Sequence, residues 1–456
     1  TNIQKNQITE GIIWRQLLLF FFPILLGTFF QQLYNTIDSV IVGQFVGKEA
    51  LAAVGGSSAQ IVAFVVGFFT GLSSGASVTI AQFFGAKDSR SANKGLHTAY
   101  AIAAFGGLIL TVSGIILTPF LLEMMNTTAD IVADSAVYLR IYFAGIIFVL
   151  IYNMGSAILR ATGDSKRPLY YLIVCCIINI VLDVLFVIVF HMGVMGVAVA
   201  TLIAQAVSAV LVTLKLMRSE GILKLSVKQI RFHGSILKMQ LKLGLPTGFE
   251  AILFSITNIA IQSAVNTFGT DTTAAWSAYG KLDAIFWMVS TAFGIAITTF
   301  VGQNYGAGKM DRVRKSTRVC LLMDFIVSAV LVVFLIAARF LLFRLFTNDS
   351  HVIEIGCDML VLITPWYIVY VFIEVIAGAL RGVGNVVVPV AITLLGVCVL
   401  RIAWLAAMLK ISPTISAIIL SYPVTWVITA LAFIIYYIYI THKTIAGSSK
   451  KHVPKL

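Results

Sequence analysis

Apolar runs of about 20 or more residues recur along the whole chain, and no other feature constrains its fold as much. A helix needs about 20 apolar residues to cross the hydrocarbon of a bilayer. Twelve such runs are read, at about 12–40, 51–84, 94–118, 131–160, 168–190, 194–216, 240–268, 273–304, 318–343, 352–380, 386–408 and 413–440. A membrane β-barrel would need segments of about ten residues with alternating polarity, and these are absent. An all-α polytopic membrane protein with 12 transmembrane helices follows. Composition agrees: 59% of residues are hydrophobic, 11% are charged and the mean hydropathy is +0.98, whereas soluble domains carry about a quarter charged residues. The first run is too long for a signal-peptide core and no A-x-A site follows it, so no cleavable signal is expected.

The net charge of +13 is unevenly placed. The N-terminus, the loops after spans 2, 4, 6, 8 and 10, and the C-terminal tail hold most of the 32 Lys and Arg. The opposite loops hold only Lys48, Arg339, Arg344 and Lys410. Basic loops stay cytoplasmic, so both termini are expected inside a plasma (inner) membrane. The charge then reports topology and contact with anionic lipid rather than nucleic acid. The five cysteines all fall in spans without C-x-x-C spacing and read as small buried apolar residues.

The chain is an internal duplication. When Ile158 is laid on Ala379, "ILRATGDSKRPL" (Ile158–Leu169) falls on "ALRGVGNVVVPV" (Ala379–Val390), and "AQFFGAKDSRSANK" (Ala81–Lys94) falls on "GQNYGAGKMDRVRK" (Gly302–Lys315). With a slip of one or two residues Pro23 meets Pro246, and "FVG" at 45–47 meets "TFG" at 267–269. Matches in one register over this length indicate a repeat. Six spans separate the copies, so both point the same way and are related by an axis along the membrane normal. The expected organisation is a first lobe over 1–217, a basic cytoplasmic linker over 218–238, a second lobe over 239–445 and a cytoplasmic tail over 446–456, in a monomer. Two pseudo-symmetric six-helix lobes suit alternating access, with a site exposed to one side and then the other.

Ionisable groups deep in spans cost at least about 2.5–3.5 kcal/mol each and are functional candidates by default. Asp38 sits in "QQLYNTIDSVIVGQFVG" with no basic residue near it along the helix. Asp183 sits in "CCIINIVLDVLF". Asn179 is four before Asp183 and Tyr34 four before Asp38, each on its acid's face; span 6 adds Thr201. If spans 1, 5 and 6 are neighbours, these five surround one polar pocket of hard oxygen ligands suited to Na⁺ or a proton. Two close carboxylates in a low dielectric cannot both stay charged without a cation, so one holds a proton when no metal is bound. In the repeat register Asp183 falls on Trp404, Asn179 on Leu400 and Asp38 near Ala260. The pocket therefore belongs to one lobe. The second lobe offers Glu250, four after Pro246, and Glu374, which overlies Asn153; they are candidates for a cation, a proton or a cationic substrate, unless Glu374 pairs with Lys281 or another base. Arg140, Lys281, Asp283, Asp324 and Arg401 are also deep. Pro23 and Pro246 interrupt the first span of each lobe, and a bend at Pro23 could respond to Asp38. With 31 Phe, 15 Tyr, 6 Trp and 12 Met, a cavity could repack around varied flat apolar ligands.

These motifs resemble those of the MATE (multidrug and toxic compound extrusion) transporters, in the bacterial DinF-like branch, over the whole chain. The match rests on "QQLYNTIDSVIVGQFVG", "AQFFGAKD" with its echo "GQNYGAGK", "LRATGDSKRP" with "LRGVGN", and "NIVLDVLF" followed by Thr201. The resemblance implies a MATE/MOP-type fold. It also implies a first-lobe cation site at Asp38, Asn179, Asp183 and Thr201 beside Tyr34, and a bend at Pro23. Glu250 matches the span 7 acid of the NorM-type relatives, and Glu374 lies near their span 10 acid. The implied activity is antiport, in which Na⁺ or H⁺ enters and an organic, often cationic and aromatic compound leaves. No cofactor is expected beyond the coupling ion, and no nucleic acid partner. One rival is a lipid-linked oligosaccharide flippase of the same superfamily, but that would need basic residues to hold a pyrophosphate, where the deep first-lobe charge is mainly acidic. The other is an intramembrane polyprenyl transferase, which wants paired Asp-rich motifs; the lone Asp130–Asp134 has no mate. A transporter, not an enzyme, is expected.

Overall fold

A computed structural model of the chain describes residues 7–447. Residues 448–456, most of the expected tail, lie outside the described residues, as do residues 1–6. Twelve helices long and apolar enough to cross a membrane are present among the described residues: Ile13–Phe45, Lys48–Gly85, Ser89–Met124, Ala129–Ala161, Lys166–Val189, Gly193–Met217, Gly234–Asn266, Thr270–Gly306, Met310–Arg344, Ser350–Gly382, Val387–Ile411 and Ile415–His442. Each of the twelve expected spans is found. The helices overrun the apolar runs where polar turns continue the winding. Span 9 starts at Met310, about two basic turns before the apolar run. Span 3 starts at Ser89, where the Asp88 carboxylate caps the helix by accepting from the Ser91 amide at 3.0 Å.

The duplication shows in the turns. Gly47, between spans 1 and 2, has φ 127°, and its repeat mate Gly269, between spans 7 and 8, has φ 94°. Residues with a Cβ rarely adopt such values, which accounts for the glycine ending both "FVG" and "TFG". Helix winding also departs from the regular at two places that hydropathy does not mark. Val184–Val189 in span 5 and Leu394–Val399 in span 11 are π-helical. Spans 1 and 7 stay helical through Pro23 and Pro246.

Contacts divide the chain into two compact units. One is Leu19–Phe249; the other takes the chain up to Leu18 and from Glu250 onward. The first unit packs around a core that includes Leu96, Tyr100, Ile146, Met154, Ile158 and Val212. The second packs around an aromatic core that includes Phe286, Phe343, Tyr367, Tyr370, Trp426 and Phe433. Large apolar side chains are exposed in rows: Phe105, Leu108, Val112, Ile116 and Phe120 on span 3, and Leu322, Phe325, Ile326, Val330, Val333 and Phe334 on span 9. Such rows fit lipid. All five cysteines are buried and unpaired.

The linker is tied to span 3. Asn93 Nδ2 donates to the carbonyls of Ile222 and Lys224, both at 3.1 Å. The Ser226 amide donates to His97 Nε2 at 3.0 Å, so the ring proton sits on Nδ1 and is donated to the Asn93 carbonyl at 2.8 Å. Thr98 Oγ1 accepts from the His233 amide at 3.3 Å and bonds its Nδ1 at 3.1 Å. Burial, then Arg231, Lys94 and His97, hold His233 below the usual histidine value. Its neutral form therefore favours the docked state. Docking is fully present above the free histidine value of about 6.5 and weakens as pH falls through it. Amide exchange over residues 221–233, corrected for intrinsic rates, should accelerate between pH 7.5 and about 5.5. Flat protection across that range would refute a histidine-dependent latch.

Candidate functional site

Spans 1, 5 and 6 meet in the Leu19–Phe249 unit and bring the expected five residues together. Asp38 is 8% exposed, Asn179 1%, Asp183 0%, Thr201 8% and Tyr34 6%. Thr201 Oγ1 donates to Asp38 Oδ2 at 3.4 Å and accepts from Asn179 Nδ2 at 3.5 Å. Both bonds are long. Four oxygens have no hydrogen-bond partner: Asp38 Oδ1, Asn179 Oδ1 and both carboxylate oxygens of Asp183. Asp38 and Asp183 are neighbours; two ionised carboxylates cannot bond each other, and only a proton or a cation between them relieves the pair. Leaving buried charged oxygens unmatched is costly, and nothing basic stands by to match them. Two carboxylates, an amide oxygen and a hydroxyl form the donor set of a hard monovalent cation, or of a proton shared between the acids. The arrangement fits such an ion.

The surroundings are dry. Ile41, Val42, Val54, Val187, Val194 and Val197 pack together beside the site, with Ile37 and Tyr138 against them. Sequence reasoning missed Gln205, whose Nε2 donates to the Tyr34 hydroxyl at 3.2 Å. Its signal was available, since Gln205 is four after Thr201 and therefore on the same face. It also missed Tyr138 and Tyr142, whose rings stack at 6.2 Å, and the π-helical turn that starts right after Asp183. Such turns recur at functional sites because they widen the helix and re-aim its carbonyls.

The second-lobe acids are differently placed. Glu374 Oε1 accepts from Arg381 Nη2 at 3.2 Å. Its base is thus the arginine of "LRGVGN", not Lys281. Gly294 makes room for it, since a Cβ there would stand 2.1 Å from Glu374 Oε1. Glu250 lies within the electrostatic reach of both Arg381 and Glu374. Glu374 is thus paired with a guanidinium that Glu250 feels only at longer range, and the first-lobe pair has no such base. Asp283 accepts from Trp287 Nε1 at 2.7 Å, from the Tyr279 hydroxyl at 3.2 Å and from the Tyr367 hydroxyl. Arg401 donates to Thr425 Oγ1 at 2.9 Å and stacks over the Tyr422 ring at 4.0 Å. Asp324 accepts from Ser328 at 3.2 Å. These three are held within the fold of their own unit.

Twelve membrane-crossing helices among the described residues, in two repeats of six, define a class: a polytopic α-helical membrane protein. The chain matches the MatE family over residues 23–185 and 246–405, one stretch in each repeat. It is 30% identical over 393 residues to the probable multidrug resistance protein YoeA of Bacillus subtilis, covering 84% of each. Solved structures share the fold at 20% identity. One is a MOP superfamily transporter from Pyrococcus furiosus, with TM-score 0.90 over 99% of this chain and 100% of that one. Another is an outward-facing multidrug resistance MATE family transporter, with TM-score 0.90 over 97% and 99%. The chain belongs to the MatE family of membrane transporters, and it is not an enzyme.

Proposed function

We propose that this protein exports organic compounds, including drugs, in exchange for Na⁺ or H⁺, by alternating access of its two six-helix lobes. The observation that carries the proposal is the set of four unpartnered oxygens on Asp38, Asn179 and Asp183. An ion reaching them loses its water and gains a full oxygen set, and the carboxylates lose their mutual repulsion. Thr201 bridges Asp38 and Asn179, so filling the site draws spans 1, 5 and 6 together. Tyr34 sits one turn from Asp38 and is tied to span 6 through Gln205, which passes a shift of span 1 to its neighbour. Export is driven if the ion favours the outward-open state and the substrate the inward-open one, since a ligand moves an equilibrium only by its differential affinity. Glu250 and Glu374, the latter paired with Arg381, are a second place for a proton or a cationic group. The protein would work in the plasma (inner) membrane with basic loops and both termini cytoplasmic.

Purified protein in dye-loaded vesicles tests the reading. An inward Na⁺ or H⁺ gradient should accelerate efflux of a fluorescent organic dye, and collapse of that gradient by an ionophore should stop it. Efflux indifferent to both gradients would rule out antiport.

A further inference from the structure

Two helices have an exposed face unlike the lipid faces. Between residues 270 and 304 no large apolar side chain is exposed, and in span 2 only Leu51 near its outer end is. Instead Gln60, Ala63 and Thr70 are exposed on span 2, and Lys281 and Thr291 on span 8, with Ala284 half-buried between them. In the duplication register Gln60 falls on Lys281, Ala63 on Ala284 and Thr70 on Thr291. Steps of three and seven residues keep each trio on one helix face. A span that bares only small and polar residues faces water rather than hydrocarbon, since polar groups cannot be left in lipid. Each repeat therefore presents the same wet stripe, and the two stripes differ by one charge.

That charge has no partner among the described residues. The ion pairs there are Asp164–Arg167, Asp311–Arg314 and Glu374–Arg381, and Lys281 makes no hydrogen bond. The acid nearest to it along the helix, Asp283, is committed elsewhere, to Tyr279, Tyr367 and Trp287. Next to Lys281, a Cβ built on Gly280 would meet nothing within 4 Å, so the space is open. Lys281 is eleven residues, about 16 Å of helix, from the start of span 8 at Thr270. Arg140 is also exposed, but Val132 and Val137 nearby on span 4 are exposed with it, the setting of a side chain that snorkels from lipid.

We infer that Lys281 binds a carboxylate on the transported compound, so that the substrate class is amphipathic organic acids and zwitterions rather than purely lipophilic cations. This rests on the export reading above. One ammonium matches one carboxylate; a pyrophosphate would call for several bases, and the stripes hold this one.

Rhodamine B and its ethyl ester make the test, because they differ by one carboxylate. Binding is measured directly on the purified full-length protein by fluorescence anisotropy, and export separately in vesicles. Wild type should bind the acid more tightly than the ester. Lys281→Gln, which copies the other repeat, should weaken acid binding about tenfold and leave the ester alone, about 1.4 kcal/mol of selectivity. Lys281→Arg should keep the preference and Lys281→Glu should reverse it. An acid-to-ester ratio unmoved by Lys281→Gln overturns the inference, as does wild type binding the ester as well as the acid, or neither. An ammonium occupied by a lipid phosphate would give the first of these results. The binding ratio stands whether or not efflux follows an ion gradient, so failure of antiport and failure of this assignment are told apart.

Discussion

Asn in place of Asp38 is expected to abolish ion-driven efflux, by at least about 100-fold, while raising the protein's thermal midpoint. The two effects have one cause. Asp38 Oδ1 and both oxygens of Asp183 are buried without a partner, and a lone ionised group at this depth costs about 2.5–3.5 kcal/mol. An asparagine has nearly the same shape, carries no charge, and brings an amide that can donate to Asp183. The substitution ends the repulsion between two acids that otherwise forces one of them to take a proton, and it gives Asp183 a permanent N–H donor, so the empty protein gains stability. It also deletes an anionic ligand from the ion site, and a 100-fold loss corresponds to only about 2.7 kcal/mol of ion binding. Asp183→Asn should behave the same way. Thermal melts at rising Na⁺ add a second readout. A bound ion stabilises by RT ln(1 + [ion]/Kd), and either variant should lose that dependence. The opposite pattern, a lower midpoint with efflux intact, would make Asp38 and Asp183 structural glue between helices and end the case for an ion site.

The residues that were legible and those that were not divide along physical lines. The spans were readable because hydrocarbon enforces length and polarity on every turn. The cluster on spans 1, 5 and 6 was readable because an acid in a span is expensive, so Asp38 and Asp183 stand out, and helical spacing then yields Asn179 and Tyr34. Gln205 was missed although the same spacing applied, because a glutamine in a span is cheap enough to pass unnoticed. Glu374 had an open partner in the sequence; Arg381 lies seven residues on, two turns along one helix face, and takes it in preference to Lys281. The π-helical turns after Asp183 and in span 11 leave no mark, since "VLFVIV" and "LLGVCV" are ordinary apolar sequences. Nor could composition show that Asn93 and His97 hold the linker. Those bonds run to backbone groups of Ile222, Lys224 and Ser226, which any residue would supply.

Glycine packing supplies the other large effect, and here sequence offers only a hint. Within the Leu19–Phe249 unit, span 2 and the first half of span 7 approach backbone to backbone. A Cβ on Gly75 would stand 2.4 Å from both the Gln240 carbonyl oxygen and the Gly244 nitrogen. One on Gly71 would stand 2.4 Å from the Gly248 nitrogen. Small residues at helix interfaces allow this approach where no hydrophobic drive holds helices together in lipid. The same seam carries a bond from Gln240 Nε2 to the Gly95 carbonyl at 2.9 Å. Adding a methyl to Gly75 forces main chains apart, since neither partner is a side chain that can swing away. Overpacked sites usually lose about 1–3 kcal/mol and occasionally more, and a clash with rigid backbone belongs at the upper end. Gly75→Ala and Gly71→Ala should therefore lower the thermal midpoint strongly and reduce folded yield. Gly55→Ala is the control, because its Cβ would meet nothing within 4 Å and it ends the helix Lys48–Gly55 without a positive φ. Measured side by side by thermal shift, the first two should fall and the third should hold or rise. A wild-type midpoint for Gly75→Ala would mean that span 7 is not held against span 2 by this seam.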